Sequence, residues 1–166
     1  GKSTALNVIR SVAASYADHT PFDTFMEQES EKVRNDIARL QGVRFVSTTE
    51  PKMGKRIDEA LVKQMTGQDP LTARFLHKEF FTYTPKFKIW CSANHKPRIR
   101  GTDDGIWRRM RLIPFNVQIP PEDQDPDLPA KLEAEYAGIL AWALHGAHLW
   151  LLNGLKPPAE VLEATK

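Results

Sequence analysis

Two apolar segments that end in polar residues constrain the fold of this chain most. "VRFVSTTE" ends at Glu50 and "FKIWCSAN" ends at Asn94, with a helix-like and a hairpin-like segment between them. Apolar strands that alternate with helices predict an α/β fold of three layers around a mainly parallel sheet. Ligands bind at the carboxyl ends of the strands in such sheets, so we expect Glu50 and Asn94 at adjacent or near-adjacent strand ends.

The spacing of apolar residues predicts the remaining elements. It indicates helices from about residue 2, over 29–40, over 56–65 and over 130–152, an extended "TPFDTFM" and a further strand "RLIPF". "TARFLHKEFFTYTP" alternates as a β-hairpin does, with its tip near residues 77–79. The run "AGILAWALHGAHLWLL" is shorter than the roughly 20 residues that a bilayer requires, so it predicts a buried helix.

Composition excludes few functional classes. The 166 residues carry a net charge of +2, and 41% hydrophobic with 27% charged residues is typical of a soluble globular chain. Cys91 is the one cysteine, so the chain has no internal disulfide, and we expect its thiol to be buried in a strand. Basic residues nevertheless cluster in "KPRIR" and "RRMR", which makes local patches more informative than the total charge.

The opening residues "GKST" match the second half of a phosphate-binding loop, G-x-x-x-x-G-K-[ST]. A helix follows at once, as such a loop requires, because the phosphates rest on the helix N-terminus. The triplet also arises by chance, so it is weak alone. Two strand ends, each followed by a polar residue, and a later pair of arginines add what an ATPase needs. Singly, these could be a surface glutamate, a turn-forming asparagine and solvated arginines.

The order of these features resembles the motif order of a known family. The run from "RFVSTTE" to "RRMRLIPF", above all "TGQDPLTARFLHKEFFTYTP" and "ANHKPRIRGTDDGIWRRMRLIPF", closely resembles the helicase domain of phage- and plasmid-encoded primase–helicases. These are superfamily 3 helicases related to the poxvirus primase–helicase. The resemblance implies an AAA+-like P-loop NTPase with a β-hairpin insertion, which forms a hexameric ring and uses ATP and Mg²⁺ to move on DNA during replication. It also implies a possible primase domain upstream, no membrane, and the cytoplasm of a bacterial host.

The resemblance assigns roles to individual residues. The nucleotide-binding and catalytic set is Gly1, Lys2, Ser3, Thr4, Glu50, Asn94, Arg108 and Arg109. Lys2 resembles the lysine of the β- and γ-phosphates and Ser3 the hydroxyl that binds Mg²⁺. Glu50 resembles the Walker B acid, which also serves Mg²⁺, and Asn94 the sensor asparagine. Arg109, with its neighbour, matches the arginine finger that acts on the next subunit.

The hairpin resembles the family's motif B′, whose loop touches single-stranded DNA in the channel of the ring. On that likeness His77 and Lys78 near the tip meet the phosphates of the strand, with Lys63 and Arg74 behind them. We therefore expect single-stranded DNA as a partner and attraction to its backbone without reading of base sequence.

Two departures from the family keep alternatives open. One acid ends the Walker B strand where many ATPases have two, so either Glu50 serves both Mg²⁺ and water or a second acid comes from Glu59 or Asp69. The strand and first glycine of the phosphate loop are missing before Gly1, so we expect the chain to be a fragment that hydrolyses ATP negligibly alone. A non-catalytic DNA-binding or assembly module and another ring ATPase motor remain alternatives. The expected division is a nucleotide-binding core over 1–118 and a linker with C-terminal helices over 119–166.

Overall fold

The computed structural model describes residues 1–28, 34–49, 57–94 and 104–165. Its helices are α1 (Lys2–Ala13), α2 (Asn35–Ala38), α3 (Glu59–Gly67), α4 (Asp104–Trp107), α5 (Leu128–Ala134), α6 (Tyr136–Asn153) and α7 (Ala159–Thr165). Its strands are β1 (Ala17–His19), β2 (Phe45–Thr49), β3 (Leu71–Ala73), β4 (Phe81–Tyr83) and β5 (Lys88–Ser92). The chain divides into a sheet unit, Ala13–Arg109, and a helical unit, Gly1–Val12 with Met110–Lys166. The boundary expected at residue 118 stays a prediction.

A parallel sheet of order β1-β2-β5 forms the centre of the sheet unit. The four residues 45–48 of the middle strand are buried, and its last residue, Thr49, is exposed. Burial of four consecutive residues is what a parallel strand covered on both faces requires. The predicted α/β fold with a mainly parallel sheet is confirmed.

The predicted hairpin is also confirmed, as a separate two-stranded antiparallel sheet of β3 and β4. Leu71 pairs with Tyr83 and Ala73 with Phe81, so residues 74–80 form the connecting loop. Between these pairs, the exposed hydroxyls of Thr72 and Thr82 lie 3.1 Å apart and share a hydrogen bond. Successive side chains of each strand therefore point alternately to the core and to solvent.

One core holds the sheet unit together. Its buried members are Phe25, Ile37, Ala38, Leu40, Val43, Val46, Met65, Leu71, Ala73, Tyr83 and Phe87. Helix α3 contributes Met65 and is capped by Asp58, whose carboxylate accepts a hydrogen bond of 2.9 Å from the backbone N–H of Leu61. It ends before Gln68, which adopts a left-handed backbone with φ of 64°. The helix predicted over 56–65 is thus confirmed, shifted by two to three residues.

Three local predictions in the sheet unit are wrong or incomplete. The segment expected to be extended contains a 3₁₀ turn, Phe22–Phe25, because Pro21 accepts from the N–H of Thr24 at 3.0 Å. Of the helix predicted over 29–40, the described part is Asn35–Ala38, and residues 29–33 lie outside the described residues. Cys91 is exposed, on the strand that the described residues place at one end of the sheet order.

Further predictions in the helical unit are wrong. Residues 111–115 form no strand: the N–H of Leu112 donates to Thr165 Oγ1 at 3.0 Å, and Pro114 has no N–H to offer a neighbour. The long helix predicted over 130–152 is divided into α5 and α6. No described residue of this unit is buried, and Trp142 and Trp150 are 70% and 56% exposed. None of the helices described here is long and apolar enough to cross a membrane.

Candidate functional site

The carboxyl edge of the parallel sheet is the first candidate site. Strands β2 and β5 are direct neighbours, and Thr49 pairs with Ser92 at their ends. Glu50 follows Thr49 in the sequence but lies outside the described residues, whereas Asn94 is described and exposed two residues beyond Ser92. The prediction that the two preceding strands are adjacent and parallel is therefore confirmed. The roles of Glu50 and Asn94 stay predictions.

The same edge carries polar groups that sequence reasoning missed. His19 ends β1 and its Nδ1 lies 3.1 Å from the hydroxyl of Ser47 on β2, which also donates to the carbonyl of Asp18 at 3.4 Å. The hydroxyl of Thr48 is buried and has no hydrogen-bond partner among the described residues. His19 was missed because β1 itself was not predicted: three residues at the end of a helical pattern carry no strand signal.

The first turn of α1 is the second candidate site, and it belongs to the helical unit. The helix begins at Lys2, its first turn holds no acidic residue, and the N–H of Ala5 donates to the carbonyl of Gly1 at 3.0 Å. The N–H groups of a helix's first turn have no acceptor within the helix, and this end carries partial positive charge. The residues predicted to bind phosphate therefore sit on an element that suits an anion.

The two arginines follow directly after α4. Arg109 donates from Nη1 to the carbonyl of Gly105 at 2.7 Å. Its Nη2 lies 3.5 Å from the point that a Cβ on Gly67 would occupy, and Asp69 Oδ2 lies 3.0 Å from that point. The guanidinium thus rests against the end of α3 in its own sheet unit. Arg108 is exposed, and the predicted action of both arginines on another subunit stays a prediction.

The hairpin loop unites three of the four predicted DNA-binding residues. His77 and Lys78 are exposed in the loop, and Arg74, its first residue, is half-buried. Lys63 is a residue of α3. Within the loop, the N–H of Lys78 donates to the carbonyl of Phe75 at 3.0 Å. The N–H of Leu76 joins the loop to α2 by donating to Asn35 Oδ1 at 2.7 Å. His77 has a φ of 60°, in the left-handed region.

Stacked aromatic rings connect this loop to the core. The ring of Phe81 lies 5.8 Å from that of Phe75 and 6.0 Å from that of Tyr83. Tyr83 is buried, and its hydroxyl donates to the carbonyl of Ile37 at 2.7 Å. Burial first, and the negative charge of Asp36 second, raise the pKa of the Tyr83 hydroxyl to about 12. The loop therefore packs, through Phe75 and Phe81, against the buried and hydrogen-bonded ring of Tyr83.

A second aromatic contact lies at the loop. The guanidinium carbon of Arg74 lies 4.6 Å from the ring centre of Phe80, and Phe80 is 64% exposed. Sequence reasoning missed Phe80, although a signal was present. Successive side chains of a strand point to opposite faces, so the neighbours Phe80 and Phe81 cannot both reach the core.

Comparisons with known proteins point in one functional direction. No protein-family model matches the chain. "Putative helicase L207/L206" of Acanthamoeba polyphaga mimivirus is 33% identical over 119 residues, which are 69% of this chain and 12% of that protein. "Putative helicase 022R" of Frog virus 3 (isolate Goorha) is 33% identical over 149 residues, which are 78% of this chain and 15% of that protein. "Putative helicase 184R" of Invertebrate iridescent virus 6 is 33% identical over 85 residues, 48% of this chain and 9% of that protein.

All three relatives are named as helicases. The chain spans between 9% and 15% of the lengths of these relatives, so the names describe much longer proteins. The relatives come from viruses of eukaryotes. The expected phage or plasmid source and bacterial cytoplasm gain no support from them and stay predictions.

Proposed function

We propose that this chain is part of a superfamily 3 DNA helicase, in which ATP hydrolysis between the subunits of a hexameric ring drives movement along single-stranded DNA during replication. The observation that carries the proposal is the register of β2 and β5, whose ends lie side by side at Thr49 and Ser92. Two polar residues, Glu50 and Asn94, follow these ends in the sequence. The helicase names of the relatives support the same conclusion.

We propose that a nucleotide binds at the start of α1. The phosphates would be held by the backbone of Gly1 to Thr4 and by the ammonium of Lys2, since this helix end suits an anion. The hydroxyl of Ser3 and the carboxylate of Glu50 are oxygen donors, which Mg²⁺ prefers. Bound Mg²⁺ would neutralise charge on the phosphates that react. Asn94 would sense the terminal phosphate.

Hydrolysis is tested by one substitution and a matched control. In the protein that contains this chain, we expect Glu50→Gln to abolish ATP turnover stimulated by single-stranded DNA. The control is Glu122→Gln, which changes an exposed glutamate of the helical unit in the same way and should leave turnover unchanged. DNA binding that persists in wild type without any hydrolysis would instead favour the non-catalytic DNA-binding or assembly module.

Action between subunits is tested by mixing variants. Arg109 donates an exposed hydrogen bond to the carbonyl of Gly105, which it can exchange for a phosphate on a neighbour. We propose that it acts there as an arginine finger, with Arg108 beside it. Subunits with Arg109→Ala and subunits with Lys2→Ala should each be inactive, and their mixture should recover part of the ATPase rate. A mixture no faster than its parents would contradict the proposal.

Attraction of DNA phosphates to the hairpin loop is tested by salt dependence. Lys78→Ala should weaken binding of single-stranded DNA to a similar degree for all sequences and reduce the slope of log affinity against log salt by roughly 0.7. Lys86→Ala, which removes an exposed lysine outside the loop, is the matched control and should change binding less. A loss that depends on base sequence would argue against a channel loop.

A further inference from the structure

The solvent side of the hairpin presents an aromatic ring that the fold does not bury. Phe80 precedes β4, is 64% exposed, and lies next to Phe81, whose ring packs in the stack that leads to the core. The guanidinium of Arg74 lies over the ring of Phe80, 4.6 Å from its centre. The residue therefore contributes little to the core, and a cation is already fixed beside its ring.

We infer that Phe80, backed by Arg74, is a platform on which a base of single-stranded DNA stacks. This inference rests on the proposed function and adds to it a contact that phosphate attraction does not supply. Proteins that bind single strands without sequence preference combine cations for the backbone with aromatic rings for the bases, because every base has a π-face.

The charges of the loop favour a nucleic acid as the occupant of this ring. Residues 74–80 contain Arg74, His77 and Lys78 against one acid, Glu79. The ring of Phe80 and the cation of Arg74 lie together, so one nucleotide can place its base on the ring and its phosphate near the guanidinium. The cations that flank the ring attract phosphates, which an apolar protein surface does not carry.

The contacts that hold the loop in place favour a stacking contact at Phe80. The loop is fixed to the core through the stacked rings of Phe75, Phe81 and Tyr83, and to α2 through the bond from Leu76 to Asn35. A loop that is already held in place loses little conformational freedom when a base stacks on its Phe80 ring. Stacking on such a ring changes affinity by roughly fivefold to a hundredfold per base.

The test separates bases from phosphates. An oligothymidine and an abasic strand of equal length have the same backbone charge, so their affinities differ through base contacts. We expect the 166-residue chain to bind the oligothymidine at least about fivefold more tightly in fluorescence anisotropy. Phe80→Leu should remove this preference and Phe80→Trp should retain it, both with an unchanged salt slope. Tyr16→Leu, which removes a ring of 61% exposure outside the hairpin, should keep the preference.

The outcomes distinguish this inference from the proposed function. Binding of neither strand by the wild-type chain would contradict the proposed DNA contact and this inference together. Equal binding of both strands, or a preference that survives Phe80→Leu, would contradict the stacking role alone. Reduced self-association of Phe80→Leu in sedimentation, with its strand preference intact, would assign the ring to a protein interface and overturn the inference. Circular dichroism checks that each variant is folded.

Discussion

Removal of one hydroxyl group tests how the hairpin is fixed to the core. Tyr83 ends β4, is 8% exposed, and donates a hydrogen bond of 2.7 Å to the carbonyl of Ile37 in α2. Tyr83→Phe deletes this bond and keeps the ring that packs against Phe81. The change in the free energy of unfolding therefore reports the hydrogen bond and little else.

The expected loss follows from the neighbours of that carbonyl. The N–H of Leu40 also donates to the carbonyl of Ile37, at 3.1 Å, so the oxygen keeps a partner in the variant. The loss should then equal one net hydrogen bond, about 1 kcal/mol, and stay below the 1–3 kcal/mol of a buried group left unpaired. Tm should fall by about 2–4 °C. The control Tyr16→Phe removes a hydroxyl from an exposed side chain and should change stability by less than about 0.5 kcal/mol.

The pH dependence of stability gives a separate readout, of the burial of the Tyr83 hydroxyl. The pKa of Tyr83 is about 12 in the folded protein against 10.0 for the ordinary side chain. Above pH 10 the unfolded chain releases this proton while the folded chain retains it, so stability is full below pH 10 and is lost as pH rises through about 12. Tyr83→Phe should lose less stability over this range in urea unfolding followed by circular dichroism. Equal pH slopes, or a loss above about 3 kcal/mol near pH 8, would refute this reasoning.

Three other substitutions have defined expectations, each measured by urea unfolding. Asp58→Ala removes the acceptor for the N–H of Leu61 at the start of α3 and should cost about 1 kcal/mol, whereas Asp58→Asn should retain most of the stability. Thr48→Val replaces a buried hydroxyl that lacks a partner among the described residues, so stability should stay equal or rise by about 1 kcal/mol; a clear loss would reveal a bond to that hydroxyl. Gly67→Ala should stabilise α3 by up to about 1 kcal/mol. The atom nearest to the new Cβ, at 3.0 Å, is Oδ2 of the exposed Asp69 side chain, which can move away. A loss of stability would mean that the carboxylate of Asp69 is fixed in place.

The elements that sequence predicted correctly are those with strong local patterning. β2 and β5 are apolar runs bounded by polar residues, α3 has a capping aspartate, and the hairpin alternates over both of its strands. Each of these signals lies within a few residues of chain. The adjacency of β2 and β5 was expected because ligands bind at the carboxyl ends of strands in open α/β sheets.

The features that sequence missed depend on distant partners. Ala17–His19 is a strand because β2 offers it an edge, with Ala17 opposite Phe45 and His19 opposite Ser47. Helix α6 is apolar enough to predict burial, yet the pattern of a single helix carries no information about what covers it. The contact of Arg109 with the end of α3 joins residues more than 40 positions apart, and no local signal encodes it.

The backbone of His77 bears on the stability of the hairpin tip. With φ at 60°, this residue adopts a conformation that costs an L-amino acid roughly 1 kcal/mol and costs glycine almost nothing. Histidine tolerates this region better than most residues, but a loop chosen for ease of folding would carry glycine there. The chain places an imidazole at this position against the preference of its own backbone. The tip of the hairpin therefore carries a backbone strain that glycine would relieve.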